Sequence, residues 1–387
     1  MTKRSRQPAP PFRVQIVINP DQEYFREVVL GVRHYGFETG RLVFADRWLA
    51  HELADLPRVV KRDGVQGIVA AAHTVAMESA MMKAGVPVVN VSNSMRVPRL
   101  PVVTQDDVAV GKLAAEHLRN CGCRSFGFWG QAGASYAEQR WQGFGSALGE
   151  NAPVRRAVSR TGEAPGRTFA RMREWLKGLE RPAGVFTTLD SYALTMQRAA
   201  RESGWRVPED LAVLGAGDDD FLVQFEQVPL SSIRLPSLKI GYAAGVLLDR
   251  LIATGAKTAE SVQLPAGEIV SRRSTDVIYS EDEAVARAVR FIREHATANP
   301  YVGDVVKVAG ISRTALQTRF RAVLGRSPLQ EILRVRVARA QALLTETTLP
   351  MTTVAERCGF PDSQRFCMLF RRVAGVTPTG YRWQFRQ

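Results

Sequence analysis

Val308-Ala309-Gly310-Ile311-Ser312-Arg313-Thr314-Ala315-Leu316-Gln317-Thr318-Arg319-Phe320-Arg321, followed by Gly325 and Ser327-Pro328, returns about fifty residues later in altered form. The second copy runs Cys358-Gly359-Phe360, then Asp362-Ser363-Gln364-Arg365-Phe366-Cys367-Met368-Leu369-Phe370-Arg371, and closes with Gly375 and Thr377-Pro378. Each copy reads as a short apolar helix, a glycine at the turn, and a capped second helix. Gly310 and Gly359 suit the left-handed backbone that ends a first helix. Ser312 and Asp362 can accept the orphan N–H groups that open a second. In each second helix the residues at i and i+4, Leu316/Phe320 and Phe366/Phe370, form an apolar stripe that must face a core. The opposite face carries Arg313, Thr314, Gln317 and Thr318 in one copy and Ser363, Gln364 and Arg365 in the other. Side chains of this kind reach base edges in a major groove. Gln317 and Arg365 are expected to read bases, and Arg321 and Arg371 to anchor phosphates near the helix ends.

Charge points to the same segment. The chain of 387 residues has a formal net charge of +14, and residues 283–387 hold 17 Lys and Arg against 7 Asp and Glu. A surface of that sign has phosphate as its natural partner, here a double-stranded DNA operator. A solvated arginine-rich face accounts for the charge alone, but not for the repeated motif.

The segment from about Glu283 to Arg386 resembles the DNA-binding domain of AraC/XylS-type regulators. The resemblance rests on Ser312, Leu316, Phe320-Arg321, Gly325 and Ser327-Pro328, then Arg336, Ala340, Leu343-Leu344, Val354-Ala355 and Gly359-Phe360. Phe366, Phe370-Arg371, Gly375, Thr377-Pro378 and Tyr381-Arg382 complete it. It implies an all-α domain with two helix-turn-helix motifs. It also implies activation of transcription through contact with RNA polymerase.

A chain this long exceeds one core and calls for two or three domains. After a basic, proline-rich tip over residues 1–11, expected to be disordered, short apolar runs alternate with helical patterns. Strands are expected at Arg13–Ile18, Arg41–Phe44, Gly67–Ala70 and Val86–Val89, with helices at Glu23–Tyr35 and near 50–62 and 75–84. A helix at Val108–Asn120 leads to strands at Ser125–Trp129, Val154–Val158, Gly184–Thr187 and Leu211–Gly215. Alternation of this kind predicts parallel α/β sheets. Lobe 1 is expected over about 12–107 with late crossing segments, and lobe 2 over about 108–230. Leu230–Leu235 is expected to return the chain to the first lobe, ahead of a helix at Leu238–Ala253 and a last strand at Gly267–Val270. The sensing domain then spans 12–276, a linker 277–283, and the helical domain 284–387.

Residues 12–276 resemble the two-lobed, periplasmic-binding-protein-like sensor of LacI/GalR regulators. The marks are Thr104-Gln105-Asp106, Gly111, Ala115-Glu116-His117-Leu118, Gly122, Arg140, Gly143-Phe144 and Arg273-Ser274-Thr275. The resemblance implies a homodimer and a small-molecule effector, a xylose-like pentose or another saccharide, that gates activation of carbohydrate catabolism genes. A repressor, or a regulator without a sugar effector, stays open. Arg140 matches the arginine such sensors place on sugar hydroxyls, Asp190 and Asp218 fall where they place polar contacts, and Tyr24 and Asp106 sit at the corresponding loops of the first lobe. One departure stands out. In Gly215-Ala216-Gly217-Asp218-Asp219-Asp220 the usual aspartate position is Gly217, so either Asp218 compensates or the ligand differs.

Other classes find little support. No Walker loop, G-x-S-x-G elbow or H-E-x-x-H occurs, and the five histidines form no catalytic constellation, so no enzyme and no catalytic residue is expected. The Asp218–Asp220 triplet lacks companion carboxylates at metal-loop spacing, and no metal or cofactor is expected. Cys121, Cys123, Cys358 and Cys367 read as reduced thiols. The first residues lack an apolar signal core and no run is long enough to span a bilayer, so the expected location is cytoplasmic, on the nucleoid, with no membrane partner.

Overall fold

The computed structural model describes residues 10–45, 53–225, 227–256, 259–277, 282–298 and 300–385. Most of the basic tip, the start of the helix expected near 50–62 and residues 278–281 of the expected linker lie outside them. The chain divides into two compact units, Met1–Val277 and Ile278–Gln387.

The first unit opens as β1 (Phe12–Val17), α1 (Glu23–Thr39), β2 (Leu42–Phe44), α2 (Leu56–Arg62), β3 (Gly67–Ala70), α3 (Val75–Met82) and β4 (Val88–Asn90). These strands make a parallel sheet in the order β2-β1-β3-β4. The near-continuous apolar runs have a simple cause: helices cover both faces. Val14, Ile16 and Val69 face a core with Val28 and Val32 of α1, while Val17, Ile68 and Ala70 face Leu56, Val59 and Met81. Successive side chains point to opposite faces, so a strand covered twice has few polar positions.

The chain then continues through β5 (Val103–Gln105), α4 (Asp107–Asn120), β6 (Ser125–Gln131), α5 (Ser135–Leu148), β7 (Val154–Ser159), α6 (Pro165–Leu176), β8 (Ala183–Thr187), α7 (Asp190–Glu202), β9 (Leu211–Gly217) and α8 (Asp220–Phe225). After β10 (Ser231–Arg234), α9 (Ser237–Thr254), β11 (Val262–Leu264) and β12 (Glu268–Val270) complete the unit. The second sheet runs β12-β10-β9-β8-β6-β7, with β12 antiparallel to β10 and the other pairs parallel.

Two expectations are corrected here. Leu230–Leu235 does not return to the first lobe: β10 is a member of the second sheet, and the chain crosses only after it, so that α9 packs on α1 through Ile240 and Leu248. The second lobe therefore takes in β10 and β12 as well as residues 108–230. The crossing strands β5 and β11, three residues each, pair with one another in a separate parallel ribbon.

The Arg273-Ser274-Thr275 mark acquires a reason. Ser274 Oγ donates to Val213 O (2.6 Å) and accepts from Ser231 N (2.7 Å). Thr275 Oγ1 donates to Ser231 Oγ (2.7 Å) and lies 2.8 Å from His117 Nε2. Short hydroxyls tie the closing segment to β9, β10 and α4 without leaving buried polar groups unpaired.

The second unit holds α10 (Glu283–His295), α11 (Val302–Ala309), α12 (Arg313–Leu324), α13 (Pro328–Glu346), α14 (Met351–Arg357), α15 (Ser363–Ala374) and α16 (Pro378–Phe385). Gly310 and Gly359 have φ of 72° and 74°, the left-handed turn expected of them. Ser312 accepts from Ala315 N and Asp362 from Arg365 N, capping α12 and α15. There are two small cores. Leu316 and Phe320 bury against α10 and Ile332; Phe366 and Phe370 bury against Val337, Leu344 and Tyr381. α13 contributes to both, which makes it the spine joining the two helix-turn-helix units.

That spine carries a buried charge. The Glu331 carboxylate is fully enclosed, accepts from Arg326 and Arg334, and lies 4.0 Å from Arg293 Nε. Burial pushes its pKa up, but the two guanidiniums outweigh burial and hold it at about 2. Because the folded value is depressed, its stabilisation is present above pH ~4.5 and is lost as pH falls towards 2. Glu331→Gln should cost this domain about 3 kcal/mol at pH 7 and flatten its acid limb. Chemical denaturation at pH 7 and at pH 3.5 tests this; equal losses at both would refute it.

Candidate functional site

A cavity of about 590 Å³ opens between the lobes of the first unit. Its wall includes Tyr24, His73, Asn93 and Gln105 from the first-lobe side and Gln131, Tyr136, Arg140, Asp190 and Asp219 from the second. The structure thus brings three of the five expected contacts, Tyr24, Arg140 and Asp190, to one space.

The floor is a buried polar network. Arg140 Nε donates to Asp107 Oδ1 (2.8 Å) and Nη1 to Thr188 O (2.7 Å), while the guanidinium carbon sits 5.1 Å from the centre of the Tyr136 ring. Asp107 also accepts from Asn93 Nδ2 (2.8 Å) and Gln105 Nε2 (2.9 Å). Tyr24 donates to Val91 O (3.2 Å), with Gln105 Oε1 at 3.4 Å. Arg140 is thus held by a carboxylate of its own.

Asp190 lines the same cavity from the start of α7. It accepts from Ser232 Oγ (2.6 Å) and Asp219 N (3.0 Å), and burial lifts its pKa to about 6 against those two bonds. The glycines of β9 exist for this carboxylate. A Cβ at Gly215 would meet Asp190 Oδ1 at 2.1 Å, and one at Gly217 would meet Oδ2 at 3.0 Å. Position 217 therefore has little room for a side chain beside Asp190.

Two expected contacts fall elsewhere. Asp218, in the left-handed region at φ 58°, has its carboxylate bound by Arg234 (2.8 Å) and Arg272 (2.6 Å), away from the cavity. It braces β10 against the closing segment, and Asp219 takes the place at the wall. Asp106 caps α4, accepting from Ala109 N (2.9 Å), and does not line the cavity. The next residue, Asp107, is the one that serves the site. Such one-residue offsets depend on where a strand ends and a helix begins, which spacing does not resolve.

Asp21, Glu23, Asp190 and Asp219 line the cavity beside the guanidinium of Arg140, which Asp107 already matches, while Arg26 lies 3.7 Å from Asp219 and 4.0 Å from Glu23. Glu23 Oε2 accepts from Asp220 N (2.6 Å) across the two lobes. Burial raises the pKa of Glu23 to about 7, opposed by that hydrogen bond and assisted by Asp220, Asp219 and Glu27.

In the second unit, Arg313, Thr314, Thr318 and Arg321 of α12 are exposed, as are Gln364, Arg365 and Arg371 of α15. Gln317 and Ser363 are only half-exposed, on the flanks of their helices. Sequence reading omitted Met368, exposed on α15, and Arg372 beside it. Arg287 secures the first motif by donating to Ala309 O (2.8 Å) at the end of α11.

Residues 115–275 match the periplasmic binding protein-like domain family, and residues 305–384 match a helix-turn-helix domain family. The chain is a DNA-binding transcriptional regulator of the AraC type with a periplasmic-binding-protein-like sensor in front of its two readers. It is 27% identical over 380 residues to the xylose operon regulatory protein of Escherichia coli K12, covering 96% of each chain. For the protein of the same name in Haemophilus influenzae the identity is 25% over 382 residues, covering 96% of this chain and 98% of the relative. Among solved structures, that of a xylose-binding transcription activator aligns with a TM-score of 0.63 at 26% identity, covering 97% of this chain and 98% of that one. A cellobiose complex of the regulator CelR aligns at 0.55 and 25% identity, covering 69% of this chain and 86% of that one. No helix among the described residues is long and apolar enough to cross a membrane.

Proposed function

We propose that this protein is a cytoplasmic, homodimeric transcription activator whose effector is an uncharged saccharide bound between the lobes. The observation that carries the ligand class is the cavity's lining: four carboxyl groups, two of them, Asp190 and Glu23, with pKa values raised to about 6 and 7, and one arginine already paired. Carboxylates grip pairs of hydroxyls and a guanidinium fork adds directed donors, a chemistry that suits a neutral polyol. A sugar phosphate or uronate would add negative charge beside these carboxyl groups, where the lining arginine is already paired. The solved structures titled as xylose-binding and as a cellobiose complex name neutral saccharides as ligands, which supports the same class.

In this reading the saccharide closes the lobes, and closure changes how the two protomers present α12 and α15 to successive major grooves. The ligand acts only through its unequal affinity for the two arrangements. RNA polymerase is the partner on the promoter, and no catalytic step is assigned. The test is thermal unfolding of the full-length protein with neutral pentoses, hexoses and disaccharides beside sugar phosphates and uronates. At about a hundredfold over Kd a true effector should stabilise the sensor by about 2.7 kcal/mol, and it should also alter operator affinity. A phosphorylated or acidic sugar giving the strongest shift would overturn the assignment.

A further inference from the structure

We propose that Met368 is a specificity-determining residue that reads the 5-methyl group of a thymine in the half-site under α15. The proposal rests on the DNA-binding reading and adds to it a residue and the chemical group it recognises.

At about 100° per residue, Met368 lies ~200° around the helix axis from Phe366 and ~160° from Phe370. Those two phenylalanines are fully buried, so they fix the inward direction. Met368 is therefore at the middle of the outward face, and it is 62% exposed. Gln364, one turn earlier, and Arg365, Arg371 and Arg372 surround it, all exposed. The same construction on α12, from Leu316 and Phe320, puts Thr318 at the equivalent place, with Thr314 and Arg321 standing where Gln364 and Arg371 stand in the second copy.

An exposed methionine ringed by cations has no folding role here, since Phe366 and Phe370 supply the core contacts of this helix. The surrounding charge selects a polyanion as the partner surface. Within a major groove, thioether and methylenes cannot pair with phosphates or with the hydrogen-bonding edges of guanine, cytosine or adenine. The one apolar group displayed there is the thymine methyl. Methionine's unbranched, polarisable side chain adapts to such a contact without a fixed rotamer. Gln364, stacked one turn towards the helix start, is placed to pair with an adjacent adenine.

The test begins by selecting the preferred duplex from a randomised library with the full-length protein. Each thymine of that duplex is then replaced singly by deoxyuridine, which removes only the methyl group. For the wild type, one replacement in the α15 half-site should weaken binding about three- to tenfold at fixed salt. Met368→Ala should bind the thymine duplex weaker by a similar factor and be indifferent to uracil at that position. Met368→Leu, which keeps an apolar tip, should retain sensitivity. Enrichment of a sequence with no uracil-sensitive position, or a Met368→Ala variant as sensitive as the wild type, overturns the proposal while leaving DNA recognition intact. Failure to enrich any sequence removes the DNA-binding reading itself, and this one with it.

Discussion

Arg140→Ala is expected to lower the stability of the sensor by about 3–5 kcal/mol, the usual cost of breaking a buried ion pair from one side, and to abolish the saccharide response. The resemblance in sequence points to the second effect, because it puts Arg140 where such sensors contact sugar hydroxyls. The structure adds the first. Both partners of the Arg140–Asp107 pair are enclosed, with side-chain exposures of 3% and 0%. Alanine strands the Asp107 carboxylate with only the neutral amides of Asn93 and Gln105 as donors. It also removes the bond to Thr188 O, at the start of the loop that delivers Asp190. Calorimetry of the full-length protein should show the sensor transition falling while that of the DNA-reading unit stays in place. Arg140→Lys keeps the charge but not the planar fork, so it should recover part of the stability and little of the affinity. An alanine variant that melts like the wild type would sink the structural half of this argument.

What could be read in advance follows from the range of the interactions. The double helix-turn-helix was legible because its determinants are local. A capping side chain, a left-handed glycine and an i/i+4 apolar pair all act within one turn, and Ser312, Gly310, Leu316 and Phe320 each sit where that logic puts them. The alternating α/β pattern was legible for the same reason. The site was legible only in part. Tyr24, Arg140 and Asp190 meet at the cavity, but Asp218 and Asp106 do not. Whether an aspartate at a strand end faces a ligand, an arginine from another strand or its own helix N-terminus depends on tertiary geometry. Arg272, which helps claim Asp218, is 54 residues away in sequence. The antiparallel β12 was obscured by its length of three residues, too short to carry a directional pattern. Met368 was overlooked because an apolar residue on a helix is ordinarily assigned inward; only the burial of its neighbours shows that it faces out.

Asp190→Asn should reduce saccharide affinity by about 10- to 100-fold, the worth of a charge-assisted hydrogen bond, while leaving the unliganded sensor at least as stable at pH 8. The two effects share a cause. Burial lifts the folded pKa of Asp190 from its usual 3.8 to about 6. Because the folded value is the higher one, stability is full below pH ~4 and declines as pH rises through 6, a loss on the order of 2–3 kcal/mol. The fold thus holds a carboxylate that would be cheaper protonated, and the ligand's hydroxyls supply the hydrogen bonds that the ionised form lacks. Saccharide affinity should therefore rise between pH 5 and pH 7 in the wild type. The asparagine fits the same space, with its oxygen towards Asp219 N–H and its amide towards Ser232 Oγ, so packing beside Gly215 and Gly217 is kept. In the variant the sensor's decline with pH should shrink to the part due to its other raised carboxyls, Glu23 at about 7 with Glu27 and Asp220, which act in the same direction. Affinity should also lose the part of its pH dependence that titrates near 6. Titration calorimetry at pH 5, 6 and 7 decides the matter: a wild-type affinity that is flat across that range would mean that the carboxylate of Asp190 does not hold the ligand.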